Sequence, residues 1–158
     1  MRKALVVVVG AARPAVLVGH LAELSARGFD VTVVTPKRQA ARFADAGVAL
    51  VTIKSRKATA PEVVARIALS KPKVVEHALT ADLIVAADDR ALLTVWQLAR
   101  VNRTAVARYG MAPALRVLDD VPRRTSAQVR RDRLRHRVRG LRRVAVTQAR
   151  RVVRRGRT

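Results

Sequence analysis

Residues 4–16 read ALVVVVGAARPAV, and what that run becomes decides the fold. An unbroken stretch of β-branched residues, without polar alternation, suits a strand covered on both faces, as in a parallel sheet. Gly10 would end such a strand, and Pro14 suits the first helical position, where its missing N–H is harmless. Two other readings compete with the strand. Met1-Arg2-Lys3 ahead of the apolar run, with Gly10, Ala11 and Ala12 after it, has the layout of a short secretory leader. A phosphate-gripping turn is the third. The run stops at Arg13, however, and the residues that follow make sense only if it is the first strand of a sheet.

From residue 4 to 110, short β-branched runs alternate with helical stretches, the pattern of βαβ units. The expected strands are Ala4 to Val9, Val31 to Thr35, Val48 to Ile53, Asp82 to Ala86 and Thr104 to Arg108. Leu17, Val18, Leu21 and Leu24 form one apolar stripe on the first helix, which Gly28 closes in the left-handed conformation. A second helix is expected over Arg38 to Ala46, closed by Gly47. Pro61 and Pro72 split the third helical region in two. The fourth helix, Asp89 to Val101, is expected to turn Leu92, Trp96 and Ala99 inward. The fold class is therefore α/β, a doubly wound parallel five-stranded Rossmann-like sheet with a basic C-terminal helical tail. Residues 1–110 form the α/β domain, 111–122 a connector and 123–158 an Arg-rich amphipathic tail.

Composition sets the limits. The 158 residues, half of them apolar, suffice for one domain and an extension. The chain has no cysteine, which excludes disulfides and thiolate metal sites. No uncharged apolar run approaches the roughly 18 residues of a spanning helix. The net charge is +22, and residues 121–158 hold 15 Arg against the single Asp132. Leu134, Val138, Leu141, Ala145, Ala149 and Val152 recur every three or four residues there, around Gly140, as on a basic amphipathic helix.

A dinucleotide-binding turn needs small residues at three places. Gly10, Ala12 and Ala15 occupy them, but a methyl at the middle place would crowd a pyrophosphate. The acid expected after the second strand is replaced by Pro36-Lys37-Arg38. Gly10 is thus read as a strand-end turn, and no cofactor is expected.

Open α/β sheets bind ligands at the carboxyl ends of their strands. That rim should carry Gly10, Arg13, Thr35, Lys37, Lys54, Asp88, Asp89 and Tyr109. Asp88 and Asp89, the paired acids, are the candidate catalytic residues, with helix capping as the competing role for one of them. Gly10, Arg13, Thr35, Lys37 and Tyr109 are the candidate ligand-binding residues. His20 and Glu23 stand one turn apart but lack a third ligand, so no metal site is expected.

GHLAELSARGFDVTVVT, residues 19–35, together with ADLIVAADDRALLTVWQLAR, residues 81–100, and TAVARYG, residues 104–110, resembles the N-terminal Rossmann-like half of GT-B-fold glycosyltransferases. Phe29-Asp30 replaces the family's usual His-Glu pair. The resemblance implies a transferase domain on the acceptor side, with the donor held by a second domain and catalysis between them. It further implies that the chain is not active alone and works in a split or assembled enzyme, beside a partner chain binding the nucleotide-sugar donor. A cytoplasmic protein, peripheral to the inner face of the membrane, fits that reading.

The tail offers a different class of function, binding to nucleic acid or to an anionic membrane surface. Arg130, Arg131, Arg135, Arg139, Arg142 and Arg143 are its candidate phosphate contacts. Aromatic residues make up only 3% of the chain, which argues against base stacking on single strands. The oligomeric state is left open.

Overall fold

Val6, Val7, Val8 and Val9 are fully buried, and on two sides. Val6 and Val8 enter one apolar cluster while Val7 and Val9 enter another, because successive side chains of extended backbone point to opposite faces. The computed structural model describes residues 1–10, 13–56, 59–136 and 138. Five strands form its sheet: β1 (Arg2–Val7), β2 (Phe29–Pro36), β3 (Ala49–Ile53), β4 (Leu83–Ala86) and β5 (Val106–Tyr109). They lie in the order β3-β2-β1-β4-β5, and every pairing is parallel. The α/β class and the all-parallel five-stranded sheet are as expected.

Helices cover both faces. On one side α1 (Pro14–Ala26) and α5 (Met111–Arg116) pack with a run of 3-10 turns, Lys37–Ala46, where the sequence had suggested an ordinary helix. Leu21, Leu24, Phe43, Met111 and Leu115 fill that layer. On the other side lie α2 (Pro61–Ser70), α3 (Pro72–Thr80) and α4 (Asp89–Val101), contributing Val64, Val74, Ala78, Val95 and Leu98. Pro14, Pro61 and Pro72 each open a helix, and Gly28 and Gly47 take positive φ where helical turns end.

Two findings differ from the sequence reading. Residues 111–122 carry α5, and Met111, Ala114, Leu115, Leu118 and Val121 are buried in the core. One compact unit accordingly runs Met1–Arg124, and a second begins at Thr125. On α4 the inward stripe is Ala91, Thr94, Val95 and Leu98. Leu92 and Trp96 face outward, 48% and 53% exposed, and Arg100 stacks 4.8 Å from the Trp96 ring.

In the second unit, residues 126–136 are helical. Thr125 and Gln128 form a reciprocal cap: the Gln128 N–H donates to Thr125 Oγ1 at 3.2 Å, and the Thr125 N–H to Gln128 Oε1 at 2.8 Å. Asp132 pairs with Arg135 at 3.8 Å. Leu134 and Val138 are exposed. Gly140, Leu141, Ala145, Ala149 and Val152 of the expected stripe lie outside the described residues, as do Arg139, Arg142 and Arg143.

Candidate functional site

The strand order reverses between β1 and β4, and in an open sheet a crevice forms at the carboxyl ends beside such a switch. Gly10 follows β1 there and Asp88 follows β4. Their relation is a clamp. Asp88 Oδ2 accepts the N–H groups of Val9 at 2.8 Å and Gly10 at 3.0 Å, while Oδ1 accepts the N–H of Ala91 at 3.1 Å. One carboxylate therefore caps α4 and pins the exit of β1. Burial lifts its carboxyl above the ordinary value, against the pull of the N–H groups of Val9, Gly10, Ala91 and Arg90. With both oxygens engaged by backbone, Asp88 serves to hold the rim in place.

Gly10 has no positive φ, and a Cβ there would meet Asp88 Oδ1 at an ordinary 3.5 Å. The turn thus imposes no steric demand for glycine. Ala12, on which the dinucleotide reading turned, lies outside the described residues. Asp89 opens α4 and accepts a hydrogen bond from the Tyr109 hydroxyl. That bond and the carboxylate's charge raise the Tyr109 hydroxyl above its usual value, so Tyr109 remains a donor. Thr35 is fully buried and lines neither of the cavities described below.

The other rim residues fall into two cavities. The first, about 200 Å³, lies among the exits of β1 and β4, the start of α1, the 3-10 turns and α5. Its wall is largely apolar, from Val8, Leu17, Phe43 and Met111, and its polar side chains are Arg13, His20 and Asp88. Next to its Val8 wall, Gln39 donates Nε2–H to the Val9 carbonyl at 2.8 Å. Arg13 precedes α1 without capping it through its side chain. His20 lies one helical turn beyond Leu17 on the half-buried flank of α1, and Glu23, its suggested companion, instead pairs with Arg27 at 3.1 Å. Among the described residues, no group of three His, Asp or Glu could hold a metal.

The second cavity, about 750 Å³, is basic: Lys37, Arg38, Lys54 and Arg56 line it with Ser55, Thr59, Val63 and Ile67. The structure thus separates Lys37 from Gly10, Arg13 and Asp88. Gln39 and His20 were not singled out for the rim from sequence. The signal for His20 was its i+3 spacing from Leu17, while nothing local marks Gln39.

No family model matches the chain, and neither does any curated protein. Among solved structures, it resembles that of CalG4, the calicheamicin glycosyltransferase, with a TM-score of 0.52 and 25% identity over 68% of this chain and 32% of that one. The structure of a glycotransferase of kitacinnamycin aligns at 22% identity over 82% of this chain and 38% of the other, and its TM-score of 0.41 is too low to bear on the fold. The chain spans about a third of the length of these two proteins. The likeness to CalG4, with the five-stranded parallel sheet, bears out the resemblance to a Rossmann-like half of GT-B glycosyltransferases.

Proposed function

We propose that this chain is the acceptor-side half of a glycosyltransferase and acts with a second module that binds the nucleotide-sugar donor. The observation that carries the reading is the CalG4-like sheet bearing an apolar cleft at its switch point. At about 200 Å³ the cleft is smaller than the roughly 300–1,000 Å³ of complete small-molecule sites, as expected of a surface that a second module completes. Phe43, Leu17 and Met111 would take the apolar body of an acceptor, and Arg13 would engage a polar group at the mouth.

Glycosyl transfer needs a base to accept the acceptor's hydroxyl proton as its oxygen bonds to the anomeric carbon. The nucleoside diphosphate leaves from that carbon with the electron pair of the broken C–O bond. His20 suits the base role better than Asp88, whose oxygens the backbone already engages. The proposed partner is a donor-binding chain. The exposed Arg130, Arg131 and Arg135 on helix 126–136 would in addition hold the protein at an anionic membrane surface.

Phenolic acceptors should bind the isolated chain in calorimetric titrations, His20→Ala should still bind them, and sugar transfer should appear only when a donor-binding module is supplied. Absence of any acceptor binding would remove the proposal. Transfer by the chain alone would contradict its dependence on a partner. Liposome flotation tests the surface role: recovery should require acidic lipid, and recovery on neutral vesicles or none on acidic ones would refute it.

A further inference from the structure

Lys37 and Arg38 leave the carboxyl end of β2, and Lys54 and Arg56 leave that of β3. These strands are neighbours, with Pro36 opposite Ile53 in the register, so the sheet itself delivers two basic pairs to the same height. All four line the cavity of about 750 Å³, and no carboxylate lines it. Among the described residues none of the four is in an ion pair. Glu62, the acid nearest in sequence to Arg56 and Thr59, sits in the first turn of α2 but does not reach the cavity.

Arg56 and Thr59 are tied to each other, and Thr59 to α4. The Arg56 N–H donates to Thr59 Oγ1 at 2.9 Å, the Thr59 N–H to the Arg56 carbonyl at 3.2 Å, and Arg90 Nη2–H to the Thr59 carbonyl. Beside the cations stands an apolar wall of Val63, 41% exposed, and Ile67. Uncompensated like charges around one concavity raise its positive potential and attract anions. Arginine offers a planar fork that matches phosphate oxygens, and lysine a compact charge.

We propose that this cavity binds a small molecule carrying a phosphate or diphosphate next to an apolar body. Lys37, Arg38, Lys54 and Arg56 take the phosphate, and Val63 and Ile67 take the body. The site is separate from the cleft by His20, and the inference does not depend on glycosyl transfer.

Phenyl phosphate and inorganic phosphate serve as probes, titrated into the full chain by calorimetry at physiological salt, where loose attraction to the basic tail is screened. Phenyl phosphate should bind more tightly than inorganic phosphate. The double variant K54Q/R56Q should weaken it by about tenfold or more. R103Q/R116Q, which removes the same charge from exposed positions elsewhere, should change it by less than about twofold. Val63→Ser, at an exposed position, should erase much of the advantage over inorganic phosphate, with circular dichroism confirming that each variant is folded. Equal weakening by both double variants would mean that net charge alone attracts the probe, and would overturn the proposal. So would phenyl phosphate binding no better than phosphate, or a short RNA displacing it through the same residues.

Discussion

The two edges of the sheet are built for opposite purposes. At the amino edge, buried polar side chains tie the strand starts to neighbouring backbone. Asp82 accepts the N–H groups of Lys3 at 2.7 Å and Arg124 at 2.9 Å. Asn102 donates to the carbonyls of Ala78 and Ala81 and accepts from the N–H groups of Thr104 and Ala105. Arg2 reaches the Leu118 carbonyl at 2.7 Å and stacks over Phe29, and Arg124 donates to the Leu79 carbonyl at 2.8 Å. At the carboxyl edge Asp88, Gln39, Arg90 and the Tyr109–Asp89 pair bind the loops, and two cavities stay open between them. Polar side chains that satisfy backbone at one end lend rigidity, so that at the other end cations and a histidine can face solvent.

If that contrast is right, the largest loss of stability should come from the amino edge. Asn102→Ala strands two carbonyls and two N–H groups in a buried site, and should cost about 3 kcal/mol. A urea midpoint within error of the parent would break the comparison. Asp88→Asn should cost less, about 2 kcal/mol, because it keeps one acceptor oxygen but turns an amide nitrogen toward N–H donors. A neutral outcome would mean the clamp on Gly10 is not needed to hold the rim.

The smallest effect is one of pH. Burial, helped by the charge of Lys3, lowers His77 below its ordinary 6.5, and Thr32 Oγ1 lies 3.3 Å from its Nδ1. A folded-state value below the unfolded one favours the neutral ring, so this contribution is complete above about pH 6.5 and is lost as pH falls below it. Melting temperatures measured from pH 7.5 to 5.5 should fall less steeply for His77→Gln than for the parent, and parallel curves would show that His77 plays no part.

Much of the scaffold was legible because its signals are local. The valine run showed a strand covered on both faces, and Pro14, Pro61 and Pro72 marked where helices begin. Helix phase was harder to read. Along α4 a stripe of Leu92, Trp96 and Ala99 is as regular as one of Ala91, Thr94, Val95 and Leu98, and only packing against the rest of the fold selects the second. Distant partners leave no local trace either, which is why the reach of Gln39 to Val9 and of Arg124 across to Leu79 went unread. The rim candidates lie at or beyond the carboxyl ends of the strands, yet sequence could not divide them between an apolar cleft and a basic cavity, since that depends on lateral strand order.

Backbone amide shifts recorded by NMR while a phenolic acceptor is added would test the asymmetry of the two edges most directly. Perturbations should gather at Gly10, Arg13, Leu17, His20 and Met111 and leave Lys3, Asp82 and Asn102 unmoved. Shifts centred on those amino-edge residues, or none anywhere, would contradict the account.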